Sequence, residues 1–399
     1  MPSPITTFAA QYNDDSTTFR SIAYNRRIEC WDHIARSLPK QLIAANEAMH
    51  CDHKNRRGLI LQKKSIPFRA DNVLRIHFQE MDQLFRENKL IFQFENLQIG
   101  PFKCGYCHFQ GDRITLEDEH IACQTTLEIQ HQKYDAQIFG ILDGHNGNET
   151  ANHVKNHFCT QFQIQIDNLG QRFPDGPIDP IIWNALKRTF VTLNDQIRDN
   201  SGTAASIALI IDSQLWVAHS GDTRIFIDES GDRITALTED MKPAQCNDRE
   251  EQIWPITLND TRYFTHFTRR ILKRGGIIAK KSHDVFRISG STGNLALAGA
   301  IGDIYIHGIS ARPVITRVPI HKLTNETYLY LVCDGVTDVV SSVELANAIR
   351  SYGARDCANM ASITVISAYN AGSTDNISAM VVCLKMPMPQ QNSDDTLPT

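Results

Sequence analysis

The chain of 399 residues has no apolar run approaching the ~18–20 residues that a membrane-spanning helix requires. Its opening, MPSPITTFAAQYNDD, lacks the basic and apolar regions of a secretory signal. A basic excess is missing too. The 40 Lys and Arg stand against 45 Asp and Glu, a formal charge of −5, which disfavours a nucleic-acid partner. No Walker A sequence, GxGxxG or GxSxG occurs, so nucleotide cradling and serine-hydrolase chemistry have no support. The 10 cysteines are scattered, and Cys333 and Cys383 sit inside apolar runs as small hydrophobes. A reducing, cytoplasmic setting is therefore expected, although delivery into another cell by a secretion machine leaves no mark in a sequence. With 42% hydrophobic and 21% charged residues, the chain is expected to fold around a sizeable core.

Three zones separate along the chain. Over residues 1–96, Ile28, Trp31, Ile34, Leu38, Leu42 and Ile43 recur at helical steps, as do Phe78, Met81, Leu84 and Phe85, predicting a small helical extension. The last residues, 387–399, are polar and Pro-containing, the composition of a disordered tail. Between them, residues 97–386 alternate in blocks. Apolar runs predict buried strands at 138–142, 205–211, 215–218, 225–227, 328–333 and 379–384. Asp212-Ser213 and the stretch 229–232 read as hairpin turns. Helical stripes predict helices over about 149–170, from Pro180 onward, over 341–352 behind a Ser341-Ser342 cap, and over 356–370. Blocks of strands and of helices argue for an α+β fold.

The acids sit where strands end. One strand runs into Asp143-Gly144-His145 and another into Asp334-Gly335; Asp222 follows Gly221 ahead of a strand, and Asp375-Asn376 precedes another. A rigid strand holds a terminal carboxylate at the sheet rim, and a following Gly permits a close approach of the backbone. Several such carboxylates converging would repel unless a cation lay between them, and oxygen ligands favour Mg²⁺ or Mn²⁺ over zinc. The plain alternative makes each Asp-Gly only a turn.

These residues carry a resemblance. QGDRITLEDEH at 110–120, FGILDGHNGNETA at 139–151, SGTAASIALI and WVAHSGDTRIFI within 201–227, and LTEDMKP at 237–243 come first. RRILKRGGII at 269–278, NLALAGAIGD at 294–303, YLVCDGVTDVVSSVE at 330–344 and GSTDNISAMVV at 372–382 follow in the same order. Together they resemble the metal-dependent type 2C serine/threonine protein phosphatases over residues 100–385. The resemblance implies two antiparallel sheets packed as a sandwich between helix pairs (α-β-β-α). It implies two Mg²⁺ or Mn²⁺ ions, bridged by Asp143, with the Gly144 carbonyl on one and Asp334 and Asp375 completing the direct ligands. Glu117 and Asp118 would hold metal-bound waters, and Asp222 would contribute to a weaker third site. Arg113 would grip the phosphate of a phosphorylated protein with its fork of donors. A hydroxide bridging the ions would attack phosphorus in line. His145 would protonate the leaving Ser or Thr alkoxide as general acid; a structural turn residue is the alternative for it.

Three positions depart from the family pattern: Thr337 where Trp is common, Ala298-Gly299 where Ser-Arg is usual, and Met241 where His is usual. None is an implied ligand, so they bear on flap packing and substrate choice. A non-catalytic binding module on the same fold, or a hydrolase of another protein-linked phosphoester, stay open as alternatives. A cluster of Arg269, Arg270, Lys273, Arg274, Lys280 and Lys281 in the flap region suggests either a solvated helix face or attraction of an acidic partner or anionic surface. Cys104, Cys107 and His108 match half a zinc site or a haem attachment sequence, and His153 and His157 an i,i+4 pair, but none has the further ligands such sites need. Two C-x5-R spacings, Cys30 to Arg36 and Cys51 to Arg57, lack the glycines of a phosphate-cradling loop.

Overall fold

The structure, a computed structural model, describes residues 92–384 apart from 230–232, 245–254, 257–264, 282–284, 292, 321–322, 324–326 and 355. The extension expected over 1–96 lies outside the described residues as far as 91, and so do the tail at 387–399 and most of the turn at 229–232. Over 92–96, where that extension can be compared, the chain is strand instead of helix. β1 (Phe92–Ile99) pairs along its whole length with β2 (Phe102–Phe109), and Gly100 takes the turn between them at φ +56°. Hydrogen bonding to β2, and the fit of Phe and Ile to a pleated surface, override the helical spacing that precedes them.

A second hairpin, β3 (Glu119–Ile129) and β4 (Gln132–His145), turns at Gln130 and His131, both with positive φ. Two such residues make a type I′ turn, whose twist matches that of the strands. Next come α1 (Glu149–Arg172), α2 (Ile178–Gln196), β5 (Gly202–Ile211) and β6 (Gln214–Ser220), the last two joined by Asp212-Ser213 in the same turn type. β7 (Arg224–Glu229) and β8 (Arg233–Ala236) follow. The flap carries β9 (Pro255–Ile256), α3 (Thr268–Lys273), β10 (Ile277–Lys281), β11 (Val285–Ser289) and β12 (Asn294–Leu295). After β13 (Ile301–Gly302), β14 (Val314–Pro319) and β15 (Thr327–Val332) come α4 (Asp334–Thr337), α5 (Ser342–Tyr352), α6 (Cys357–Asn370) and β16 (Ile377–Cys383). The cap expected at Ser341 is a full capping box with Glu344, and Asp356 caps α6 through the N–H groups of Ala358 and Asn359.

All strand pairings among the described residues are antiparallel. One sheet runs β1-β2-β16-β15-β7-β8 and the other β14-β6-β5-β4-β3, with β13 added against β5; β12-β11-β10-β9 form a small flap sheet. β4 and β5 are buried on both faces, which is why their sequences are almost unbroken apolar runs. Ile138, Leu142, Ile207, Leu209 and Ile211 pack with Phe158, Phe162 and Phe190 of α1 and α2. The alternate residues Phe139, Ile141, Ala208 and Ile210 pack toward the first sheet, whose other face is covered by α6. The result is the expected α-β-β-α sandwich.

β4 does not stop at Leu142. It continues through Asp143, Gly144 and His145, which pair with Ala204, Thr203 and Gly202 of β5. The Asp-Gly-His segment is thus extended chain held in a sheet, stiffer than the turn expected there.

Candidate active site

Five carboxylates from five segments meet at one end of the sandwich. Asp143 stands on β4, and the backbone N–H of Asp334, the first residue of α4, donates to its Oδ2 at 3.3 Å. Asp375 immediately precedes the Asn376 that leads into β16, and its Oδ2 takes the Arg113 guanidinium at 2.5 Å. Asp118 lies just ahead of β3, buried, with Oδ2 accepting from Ser378 Oγ at 2.7 Å and Oδ1 unpartnered. Asp222 sits between β6 and β7, buried, with Oδ2 on Lys242 Nζ at 2.6 Å and Oδ1 unpartnered. Both sheets thus contribute, so the cluster depends on the sandwich and on no single motif.

Burial is the first cause that pushes the carboxyls of Asp143 and Asp334 well up from the ordinary range. The charges of their neighbours add to it: Asp118, Asp222 and Asp375 act on Asp143, and Asp143, Asp222 and Asp375 on Asp334. Burial likewise carries Asp118 up to about 7, against the hydrogen bond from Ser378. So many acids cannot all ionise near neutral pH without positive charge beside them. The chain supplies some itself. Burial would lower the Lys242 pKa, but Asp222, with Asp338 and Asp334 beyond it, raises it. Among the described residues no three His, Cys, Asp or Glu side chains form a ready-made cation cage; Arg113 and Lys242 occupy two of the carboxylates instead.

The other expected residues fall around this cluster. Gly144 must lack a side chain, because a Cβ there would overlap the Glu117 carbonyl oxygen. Glu117 Oε1 accepts from Thr115 Oγ1 at 3.0 Å and from the Gly147 N–H at 3.3 Å. Arg113 projects from the loop between β2 and β3 with a side chain that is 58% exposed, open to an incoming anion. His145 points its Nε2 at Asp303 Oδ2, 2.7 Å away. The Asp303 side chain is fully enclosed, and its Oδ1 has no partner. Burial alone would lower the His145 pKa, but the hydrogen bond and charge of Asp303 outweigh it and leave the ring above its ordinary value.

Two residues of this assembly, Asp303 and Asn376, carry no signal as isolated sequence features. Asn376 donates from Nδ2 to the carbonyls of Gln110 (2.8 Å) and Thr115 (2.9 Å) and accepts the Glu117 N–H on Oδ1 at 2.8 Å. It staples the Arg113 loop to the strand beside Asp375. For Asp303 the readable signal is its place at the end of AIGD, within a quoted motif whose acid was given no role.

The departures from the family pattern are partly explained by packing. Met241 is buried in the flap core, and a Cβ on Gly299 would stand 2.6 Å from its Sδ and 2.8 Å from Ser220 Oγ. Met241 N–H donates to Gly221 O at 3.0 Å, and Ala298 N–H donates to Met241 O at 2.6 Å. The substituted residues therefore pack on one another and brace the Asp222 loop. Nothing in the structure explains Thr337. Cys104 and Cys107 are buried within β2 with thiols pushed up, burial being the first cause, and His108 is taken by Tyr106 and Gln93, so this segment is core. His153 and His157 stack on each other on an exposed face of α1. Both C-x5-R spacings lie outside the described residues.

Comparison with known proteins supports the same assignment. The Protein phosphatase 2C family model matches residues 102–251 and 268–377. A probable protein phosphatase 2C 76 of Arabidopsis thaliana is 29% identical over 289 residues, 71% of this chain and 59% of that protein. Protein phosphatase 2C homolog 2 of Schizosaccharomyces pombe is 30% identical over 262 residues, 62% of this chain and 61% of that protein. The chain thus spans about three fifths of the length of these relatives. Among solved structures, a serine-threonine phosphatase 2C from Toxoplasma gondii superposes with a TM-score of 0.54 at 18% identity, covering 74% of this chain and 98% of that one. A C. elegans sex determining protein gives 0.54 at 18% identity, covering 86% and 81%. At that identity the structures bear on the fold alone, whereas the family match extends over well over half of the sequence and takes in each of the clustered carboxylates: the chain belongs to the protein phosphatase 2C family.

Proposed function

We propose that the chain is a metal-dependent protein phosphatase that removes phosphate from phosphoserine and phosphothreonine, with Mg²⁺ or Mn²⁺ as cofactor. The observation that carries this reading is the convergence of Asp118, Asp143, Asp222, Asp334 and Asp375, in which burial and neighbouring charge hold the carboxyls of Asp118, Asp143 and Asp334 above their usual range. Free oxygens on Asp118 and Asp222, and a donor set of oxygen alone, fit a hard divalent cation. Asp143, the Gly144 carbonyl, Asp334 and Asp375 would hold two ions directly, Glu117 and Asp118 through water, and Asp222 a third. Bound there, the cations supply Lewis acidity, lowering the pKa of water and offsetting charge on phosphoryl oxygens.

The chain's own residues do the rest. Arg113, exposed and fork-shaped, binds two phosphate oxygens and orients the ester. His145 carries a proton on the ring and delivers it to the departing serine or threonine oxygen, a strong base that cannot leave unprotonated. Asp303 holds that ring in place and keeps it charged. Free buried thiols at Cys104, Cys107, Cys333 and Cys357 suit a reducing, cytoplasmic setting, and no described helix is long and apolar enough to cross a membrane.

The test is phosphate release from phosphoserine and phosphothreonine peptides with added Mn²⁺, and thermal stability as Mn²⁺ is raised. Asp143→Asn and Asp334→Asn are expected to abolish turnover and to flatten the Mn²⁺-dependent rise in Tm, which follows RT ln(1 + [L]/Kd) in the wild type. Undiminished release in both variants overturns the proposal.

A further inference from the structure

We propose that Cys123 and Cys159 are an oxidative modification site, at which a hydroperoxide converts the two thiols into a disulfide that clasps α1 to β3. Cys123 stands on β3 and Cys159 on α1, 36 residues apart, and their Sγ atoms share a hydrogen bond of 2.7 Å. Both residues are half-buried, at the margin of the core that α1 and α2 build on the second sheet. Among the described residues β3 is the edge strand of that sheet, so no further strand covers the pair.

Most other described cysteines are set differently. Cys104, Cys107, Cys333 and Cys357 are buried, and burial pushes their thiols up, which makes them slow to ionise and to react. At Cys159 the hydrogen bond from Cys123 acts against burial and brings the thiol below its ordinary value. Cys159 therefore carries the thiolate and Cys123 the proton. That division sets the order of steps with hydrogen peroxide. The Cys159 thiolate attacks one peroxide oxygen; the S–O bond forms as the O–O bond breaks, and the other oxygen leaves as hydroxide, which solvent protonates to water. The Cys123 sulfur then attacks the sulfur of Cys159. The S–S bond forms as the S–O bond breaks, and the departing hydroxide takes the Cys123 proton as a second water. Two thiols are oxidised by two electrons and one peroxide is reduced by them. A dithiol reopens the bond by exchange.

The position of the bond gives it a consequence. It closes a loop that contains all of β4, with Asp143, Gly144 and His145 at the end of that strand. It also joins two elements that flank the carboxylates, since β3 follows Glu117 and Asp118 and α1 begins four residues after His145. One helical turn earlier on α1, Lys155 Nζ already reaches Glu119 Oε2 of β3 at 2.6 Å. The disulfide adds a covalent tie to this pair, on a strand whose described ladder runs along β4 alone. Cross-linking removes freedom from the unfolded chain, so the oxidised protein is the more stable form.

The experiment treats the reduced full-length chain with hydrogen peroxide in slight molar excess, then alkylates and maps the thiols by mass spectrometry. The expected product is a linked pair of peptides holding Cys123 and Cys159, released by dithiothreitol. Its Tm should stand roughly 5 °C above that of the reduced chain at one fixed Mn²⁺ concentration. In Cys159→Ser neither the link nor the rise is expected. In Cys123→Ser oxidation should stop at a sulfenic acid on Cys159, trapped as its dimedone adduct. Oxidised and re-reduced wild type give the same comparison without a variant, should serine not be tolerated. Cys123 and Cys159 that remain alkylatable, or a bond mapped to others of the 10 cysteines, overturn the site. A bond without a rise in Tm overturns the clasp. A dimedone adduct on Cys123 in Cys159→Ser, with none on Cys159 in Cys123→Ser, overturns the order of steps. Neither thiol mapping nor melting depends on turnover, so the clasp stands or falls apart from the catalytic reading.

Discussion

Replacing Asp303 by Asn removes one charge from an enclosed position and should separate substrates by their leaving group. In the wild type, burial pulls the His145 ring toward its neutral form, and the 2.7 Å contact with Asp303 more than reverses that pull. Asn keeps the size of the side chain but not its charge, so burial is opposed only by the more distant charges of Asp222 and Glu117 and the ring shifts toward its neutral form. A general acid contributes roughly 10²–10⁴-fold, and kcat toward a phosphoserine peptide should fall by about 10²-fold or more. p-Nitrophenyl phosphate releases a weakly basic phenolate that needs no proton, and its kcat should change by less than about threefold. The sign of the pH effect follows from the same balance. A raised His145 pKa keeps the acid form present to higher pH, so the basic limb of the wild-type peptide profile lies above that of the Asn variant. Steady-state kinetics on both substrates across pH decide it. An equal loss on both would mean that Asp303 only shapes the fold, and no loss on either would mean that the pair is idle; each result refutes the reasoning.

Asn376→Ala deletes three hydrogen bonds to the Arg113 loop, each worth about 0.5–1.5 kcal/mol net, so chemical denaturation should report a loss of about 2–4 kcal/mol. KM for peptides should rise with it, since Arg113 loses its anchorage; an unchanged KM would detach the staple from substrate binding. His108 is buried between Tyr106 Oη and Gln93 Oε1, and burial, helped by Lys155, lowers its pKa to about 4. The unfolded ring takes up a proton near pH 6.5 and the folded ring does not, so stability from this residue is complete above about pH 6.5 and falls as pH drops toward 4, by about 3 kcal/mol in all. His108→Gln should flatten the acid side of the stability profile, measured by urea melts at stepped pH.

Much of the fold was legible because its central strands are buried on two faces. A run such as IFGIL admits no amphipathic alternative, and the α1 and α2 stripes point at the same layer. Turns were legible only where residue types announce them. Asp212-Ser213 does so, while Gln130-His131 adopts the same left-handed pair of φ values with residues that carry no such signal. Asp143-Gly144-His145 misled in the opposite sense: a polar, Gly-containing triplet reads as a turn, yet pairing with β5 keeps it extended. The acids were visible as strand-end Asp residues and by resemblance. Asp303 and Asn376 were not, because their partners lie 158 and about 260 residues away and Asn376 binds main-chain groups that look alike in every sequence. Long-range, backbone-directed contacts leave no local pattern.

Two of the three departures from the family pattern, Met241 and Ala298-Gly299, lie together, and their location bears on what they change. Met241 and Gly299 touch each other through the space a Cβ would take, on the side of the site where Lys242 holds Asp222. The opposite side, where Asp143 meets the backbone of Asp334 and Asn376 binds the Arg113 loop, keeps every implied ligand and departs only at Thr337, the last residue of α4. These two departures therefore border the flap, away from the place where the Arg113 loop is stapled to the sheets. Under the proposed phosphatase reading, a surface altered beside an unaltered centre is expected to change which substrate is presented and to leave the chemistry as it was.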